Sequence, residues 1–187
     1  LSNGKLVRTE PRPAIEPLDS LPFPYRPFAE LHLKSRNPSL TQRVAMNILS
    51  SRGCGGNCTF CTVHAFQAFN PGKKWRARSP ENVVDEIEEL HKKYGVRSFR
   101  FVDEDFFGRS EVGRERAHGI ARELMRRGLE VDFFIFARAD EIERDTIALL
   151  KEAGLSGVYV SLDAITEEDI EFYGKGTTRQ KMLESLR

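Results

Sequence analysis

The chain has 187 residues, enough for one domain with a hydrophobic core of its own. Its 40% hydrophobic and 30% charged residues are ordinary for a water-soluble protein, and 29 Lys+Arg against 28 Asp+Glu leave no global field to gather nucleic acid or an anionic membrane. No apolar run reaches transmembrane length and no charged-then-apolar leader opens the chain; it begins at Leu1, which reads as an excerpt from a longer protein. Residues 1–40 read as a proline-rich linker. Pro11, Pro13, Pro17, Pro22, Pro24 and Pro27 exclude both a helix and a central strand. Leu18, Leu21, Phe23, Tyr25 and Phe28 make the same stretch apolar, so it is expected to lie as a strap on a domain surface.

From residue 41 to the end the pattern is that of a folded core. Val44–Leu49 is a short apolar strand leading into the cysteines. Ser79-Pro80-Glu81 opens a helix with Ser as N-cap and Pro in the first turn; Val83, Val84, Ile87, Leu90 and Tyr94 form its apolar face, and Gly95 stops it. Ser98–Val102 reads as the second strand. A helix over Glu111–Arg127 follows, with Ile120, Leu124 and Met125 turned inward and Gly128 as its stop. Val131–Phe136 is the third strand, Asp145–Ala153 a helix ended by Gly154, and Gly157–Leu162 the fourth strand. Thr166 opens a short helix to about Tyr173 through a capping box with Asp169, and Thr178 caps a last helix expected to run on to Arg187. This β-α alternation predicts an α/β fold whose parallel sheet curls as a partial TIM-like barrel; about four βα units cannot close it. Functional residues are then expected at the C-terminal strand ends.

All three cysteines fall within eight residues, Cys54-Gly55-Gly56-Asn57-Cys58-Thr59-Phe60-Cys61, directly after the first strand. An odd, tight cluster is a poor disulfide framework and reads as a metal site in a reducing compartment, hence the cytoplasm. Three thiolates on one loop suit three corners of an iron–sulfur cubane, with Gly53, Gly55 and Gly56 giving backbone freedom and the fourth iron left open. The rival reading is a tetrahedral zinc site closed by His64, but such sites serve small modules without a core. His64 itself reads as a packed loop histidine.

The motif Cys54-x-x-x-Cys58-x-x-Cys61, set after the first strand of an α/β repeat and carrying Phe60 before its last cysteine, resembles the signature of the radical S-adenosylmethionine (SAM) superfamily. The resemblance runs from about Thr41 to the end. It implies a partial (β/α)₆ barrel and a [4Fe–4S] cluster on Cys54, Cys58 and Cys61, whose open iron takes the amino and carboxylate groups of SAM. Reductive cleavage of SAM to methionine and a 5′-deoxyadenosyl radical follows from it. It also implies SAM contacts for Phe60 near the adenine and for Asp103, Glu104 or Asp105 at the amino group, where relatives carry Gly-Gly-Glu. By the same resemblance Arg138 meets the carboxylate, and Ser161 and Asp163 the ribose, where relatives often have Glu in place of Asp163. Trp75-Arg76-Ala77-Arg78 resembles a segment of relatives in which the arginines anchor a loop. Ile15–Pro24 resembles the joint between a cobalamin domain and the radical SAM domain in the cobalamin (B12)-dependent subfamily, so cobalamin is implied as a cofactor held by a domain outside this chain. A small-molecule or peptide substrate and an electron donor such as flavodoxin or ferredoxin complete the expected partners, with neither membrane nor nucleic acid. A methylthiotransferase, which needs a second cluster, and a non-catalytic zinc-stabilised α/β module are the alternatives.

Overall fold

The computed structural model describes residue 4, residues 6–27 and residues 45–186. Phe28 and the linker–core boundary near residue 40 lie outside the described residues. The strands are β1 (Ala45–Ile48), β2 (Ser51–Arg52), β3 (Arg76–Ala77), β4 (Ser98–Phe101), β5 (Asp132–Arg138) and β6 (Leu155–Ser161). The helices are α1 (Val63–Ala68), α2 (Pro80–Tyr94), α3 (Glu111–Arg126), α4 (Arg144–Glu152), α5 (Glu167–Phe172) and α6 (Arg179–Glu184). A four-stranded sheet runs β1-β4-β5-β6, every neighbouring pair parallel. This is the expected α/β alternation, a partial barrel whose strands add side by side.

The helix boundaries follow their caps. The Ser79 hydroxyl accepts from Asn82 N at 3.2 Å, Ser110 from Gly113 N at 3.1 Å, Thr166 from Asp169 N at 3.1 Å and Thr178 from Lys181 N at 3.2 Å. Gly95 and Gly128 take left-handed conformations beyond α2 and α3. Phe99, Phe101, Phe106, Phe133 and Ile135 fill the space between sheet and helices, where they meet Val83, Val84, Ile87, Ile120 and Leu124. Phe101 packs edge-on against Phe106 at 5.2 Å and Phe133 at 5.6 Å, so the second and third strands share one aromatic core.

Two expectations about the core are corrected, and one element is added. Met125 is 39% exposed, because Leu124 and Ile120 take the inward positions of α3 and the next residue round the helix faces out. The last helix ends at Glu184, with Ser185 donating its backbone N–H to Lys181 O and its hydroxyl to Met182 O. A two-stranded antiparallel ribbon, β2 with β3, ties the start of the cysteine loop to the segment before α2; two residues a side are too short to leave a periodic signal.

The prolines do form a strap. Leu18 is buried, Asp19 Oδ1 accepts from Ser79 N at 2.9 Å, and Ala14 N donates to Pro71 O at 3.1 Å. Arg26 bonds Glu86 at 2.6 Å, and Glu86 also accepts from Arg78 at 2.5 Å. Tyr25, expected to pack, is instead 89% exposed. Arg76 donates to Ile15 O at 2.8 Å and Arg78 to Leu49 O at 3.1 Å, so both arginines anchor loops.

Candidate functional site around the cysteine loop

Parallel strands deliver four loops to one edge: Ser50–Cys61 after β1, Asp103–Arg109 after β4, Arg138–Glu141 at the end of β5, and Ser161–Asp163 at the end of β6. The cysteine loop sits among them. All three cysteines are free thiols; Cys58 is buried, Cys54 and Cys61 half-buried. Gly56 N donates to Cys54 Sγ at 3.2 Å, and Arg138 Nη1 donates to Cys58 Sγ at 3.4 Å. Of the loop glycines only Gly53 needs a left-handed backbone, at φ 89°; a Cβ there would lie 1.9 Å from Lys74 O. Gly56 serves differently, since a Cβ on it would come within 3.2 Å of Cys54 Sγ.

The loop is clamped from the far end of the chain. Thr59 N donates to Tyr173 O at 2.9 Å, and the Phe60 ring meets Tyr173 edge-on at 5.3 Å while staying 51% exposed. Lys175 O accepts from Arg138 Nη2 at 2.7 Å and from Arg109 Nη1 at 2.9 Å. Lys175 is 1% exposed, its ammonium donating to Leu162 O at 2.6 Å and Asp163 Oδ2 at 2.7 Å; Ser161 Oγ also donates to Asp163. Arg138, Ser161 and Asp163 are therefore joined through one buried lysine.

The acidic triplet is split three ways. Asp103 is buried with both oxygens engaged, by Ser50 N at 2.7 Å, Ser51 N at 2.6 Å and Ser50 Oγ at 2.6 Å. It holds the β1–β2 turn from inside, so the expectation that it meets SAM is not supported by its position. Glu104 accepts from Gly53 N at 3.1 Å and lines a cavity on the strap side. Asp105 alone reaches the cysteines, with Oδ2 3.3 Å from Cys54 Sγ. Asp105 touches Cys54 and Arg138 touches Cys58, and Asp163 is joined to Arg138 through Lys175; Glu104 bonds the backbone at Gly53, and Asp103 is turned inward to Ser50 and Ser51.

Burial and then the Asp105 charge push the Cys54 thiol up to about 12; the Gly56 N–H and Arg138 pull the other way. Beyond Asp105 lies Glu141, whose carboxyl is pushed up to about 8 by burial first and by the Asp105 charge second. Its Oε1 accepts from Arg109 N at 2.6 Å. Arg138 lies above its ordinary value: burial opposes its charge, but Asp140, at 3.0 Å, and the Cys58 sulfur outweigh that. Arg109, Asp140, Glu141 and Lys175 escaped sequence reasoning. Only Lys175 carried a local signal, a lysine between Gly174 and Gly176 at a tight turn.

A single bound ion needs donors converging on one point, with Zn–S near ~2.3 Å. Among the described residues no three His, Cys, Asp or Glu side chains do so, and His64 on α1 does not complete a tetrahedral site with the cysteines. A cubane asks instead for cysteines at separate corners and for N–H donors to its sulfurs. Three free thiols on one loop, with Gly56 N and Arg138 Nη1 already aimed at sulfur, fit that group.

Comparison with known proteins decides the family: residues 48–187 match the radical SAM superfamily. The chain belongs to it. An uncharacterized methyltransferase of Pyrococcus horikoshii is 29% identical over 185 residues, 99% of this chain and 38% of that protein. The anaerobic magnesium-protoporphyrin IX monomethyl ester cyclase of Rubrivivax gelatinosus is 32% identical over 178 residues, 94% of this chain and 30% of that protein. Among solved structures, the cobalamin-dependent S-adenosylmethionine radical enzyme OxsB, with aqua-cobalamin and S-adenosylmethionine bound, aligns with a TM-score of 0.61 at 25% identity over 76% of this chain and 22% of OxsB. This radical SAM chain thus spans about a third of the length of the curated relatives it matches. Among the described residues no helix is long and apolar enough to cross a membrane.

Proposed function

We propose that Cys54, Cys58 and Cys61 hold a [4Fe–4S] cluster, and that this chain is the SAM-cleaving core of a cobalamin-dependent enzyme that transfers a methyl group to an unactivated carbon. The observation that carries the first part is the cysteine loop itself: three free thiols on one strand-end loop, two of them already receiving N–H donors. The methyltransferase-named relative along 99% of the chain supports the second part, as do the likeness to OxsB and the docked proline strap. When bound, the cluster supplies the electron that cleaves SAM to methionine and a 5′-deoxyadenosyl radical.

The chain's own residues do the rest. This reading assigns the SAM carboxylate to Arg138, whose guanidinium donates to the Cys58 sulfur and is otherwise shared between Asp140 and Lys175 O. Phe60, half-exposed beside Cys61, offers a face to the adenine. Asp163 and Ser161 hold the ribose end, with Lys175 fixing Asp163 from behind. Of the triplet this reading assigns the SAM amino group to Asp105, because it alone of the three touches a cysteine, its other oxygen being held by Gly108 N. A small-molecule or peptide substrate, a flavodoxin- or ferredoxin-type donor and a reducing cytoplasmic setting belong to the same reading.

Anaerobic reconstitution tests it. The protein gains iron and sulfide in cluster proportion and releases 5′-deoxyadenosine from SAM under reductant. Cys→Ala at any of the three positions stops release while the fold persists, because the aromatic core does not depend on the loop. Stoichiometric zinc without sulfide overturns the cluster. Full-length protein is expected to retain hydroxocobalamin through gel filtration, and this chain alone is not; failure of the full-length protein to do so removes the methyl-transfer reading and leaves the cluster untouched.

A further inference from the structure

Side chains alternate across a strand, so the parallel sheet has two faces. Phe99 and Phe101 of β4 and Phe133, Ile135 and Ala137 of β5 fall on the face that joins the helices in the core. Arg100, Phe134, Phe136 and Arg138 fall on the other face, half-buried or exposed. Strand register arranges this second face in rows: Arg100 beside Phe134 beside Gly157, then Phe136 beside Tyr159, then Arg138 beside Ser161. The last row meets the cysteine loop, where Arg138 Nη1 donates to Cys58 Sγ at 3.4 Å. The open face of the sheet and the cysteine site are therefore one continuous surface.

Three rings in contact cover the middle of that surface. Phe134 meets Phe136 edge-on at 5.5 Å, and Phe136 meets Tyr159 at 5.4 Å. Tyr159 is 58% exposed. The Phe134 ring is laid across β6, since a Cβ at Gly157 would come within 2.9 Å of it; a glycine inside a strand marks such a close approach. Contiguous apolar surface with a polar rim marks a binding site. The rim is polar at both ends, with Arg138 and Ser161 at the top and Arg100 at the bottom. Arg100 is exposed and has no hydrogen-bond or ion-pair partner among the described residues. Its row lies four residues below Arg138, about 13 Å at about 3.3 Å per residue.

We propose that this face binds the substrate, and that the substrate is a flat, extended aromatic or conjugated molecule with an anionic group at one end. Phe134, Phe136 and Tyr159 pack against its body, and Arg100 takes its anion. The inference rests on the reading of the cysteine loop as the reaction centre. A molecule held by Arg100 must be extended to come near Arg138 and the cysteines, because about 13 Å of sheet separates the two rows. The rings favour a flat body over a flexible chain, and the single free cation at the far end sets its direction.

Calorimetric titration of the full-length protein with pyrene-1-butyrate tests it, with dodecanoate as a flexible anion and 1-pyrenemethanol as a flat molecule without charge. Pyrene-1-butyrate is expected to bind saturably, about tenfold more tightly than either comparator. Tyr159→Ser, at an exposed ring, weakens it about tenfold. Arg100→Gln, at an exposed side chain, lowers it to the level of 1-pyrenemethanol, whose own binding does not change. Absence of saturable binding up to millimolar ligand overturns the proposal and shows a face filled by other parts of the same protein. Binding that neither substitution changes overturns it as well, as does dodecanoate binding as tight as that of pyrene-1-butyrate. The titration needs neither cluster nor SAM, so its failure leaves 5′-deoxyadenosine release, the test of the cysteine loop, untouched.

Discussion

Asp103 and Asp163 stand at equivalent places, each two residues past the last residue of a parallel strand on the same edge of one sheet. They do opposite things. Asp103 is 4% exposed, takes three hydrogen bonds from Ser50 and Ser51, and shares its burial with Arg116, which donates to Ser50 O at 3.0 Å and to Arg78 O at 3.0 Å. Asp163 has a side chain 37% exposed, a left-handed backbone at φ 53°, and one cation, Lys175. Topology decides that an acid reaches the loop edge. Whether it faces inward or toward a ligand is decided by the donors around it, and Ser50-Ser51 supply two backbone N–H groups that no ligand could outbid.

The electrostatics separate the pair in the same way. Burial raises the Asp103 carboxyl and lowers the Arg116 guanidinium to about 10, each against the attraction of the other. The two attract through space, while Arg116 itself donates to Arg78 O, Phe106 O, Ser50 O and Ser50 Oγ. Asp103→Ala is therefore the largest expected effect, a loss of about 3–5 kcal/mol from guanidinium unfolding, because the Ser50 and Ser51 N–H groups are buried without an acceptor, at about 1–3 kcal/mol each, and the buried Arg116 charge loses the attraction of Asp103. A loss under about 1 kcal/mol would return Asp103 to the list of candidate ligand contacts.

Lys175→Met tests the other half of the comparison. It keeps the buried stem and removes the ammonium, leaving Leu162 O without its donor while Asp163 turns to solvent. The expected cost is smaller, about 1–3 kcal/mol, since only one buried group is stranded. A cost equal to that of Asp103→Ala would show that the β6 end is as closed as the β4 end.

These two residues also mark how far the sequence could be read. The cysteine loop, the strand–helix order and the Ser79, Thr166 and Thr178 caps depend on local spacing, and the structure places each where spacing predicts. The separation of Asp103 from Asp105 depends on Ser50 and Ser51, more than fifty residues earlier, whose N–H groups carry no side-chain signature. Lys175 was missed for a different reason: its flanking glycines mark a tight turn, but lysines are almost never fully buried, so its burial is revealed by its partners, Leu162 O and Asp163. Glu141 likewise sits in a run of surface-like charges, Asp140-Glu141-Ile142-Glu143-Arg144, and only the fold turns it toward Asp105.

Arg138→Lys sharpens the comparison on the open side. The lysine keeps a charge near Asp140 but loses the fork that reaches Cys58 Sγ and Lys175 O together. If Arg138 pairs with the SAM carboxylate, SAM affinity measured by equilibrium dialysis of the reconstituted protein falls about tenfold, close to 1.4 kcal/mol, with iron content unchanged. Unchanged affinity would reduce Arg138 to a support for the loop.

The smallest effect concerns the sign of a pH dependence. Asp163 lies below the ordinary carboxylate range: partial burial would raise it, but the hydrogen bonds from Lys175 and Ser161 outweigh burial. A carboxyl whose folded pKa is depressed gives stability above its unfolded value, about 3.9, and that stability disappears as pH falls through the lower folded value. Asp163→Asn is suited to isolating this charge, because asparagine also tolerates the left-handed backbone at this position. The variant is expected to be less stable than the parent at pH 7, and the gap should hold down to about pH 4 and close below it as the parent's carboxyl takes up its proton. Because the side chain is more than a third exposed, salt should shrink the gap at neutral pH as well. Urea unfolding of both proteins across this range decides it. A gap that widens on acidification would mean that Asp163 is destabilised by its surroundings, as Asp103 is by burial, and the contrast between the two strand ends would fail.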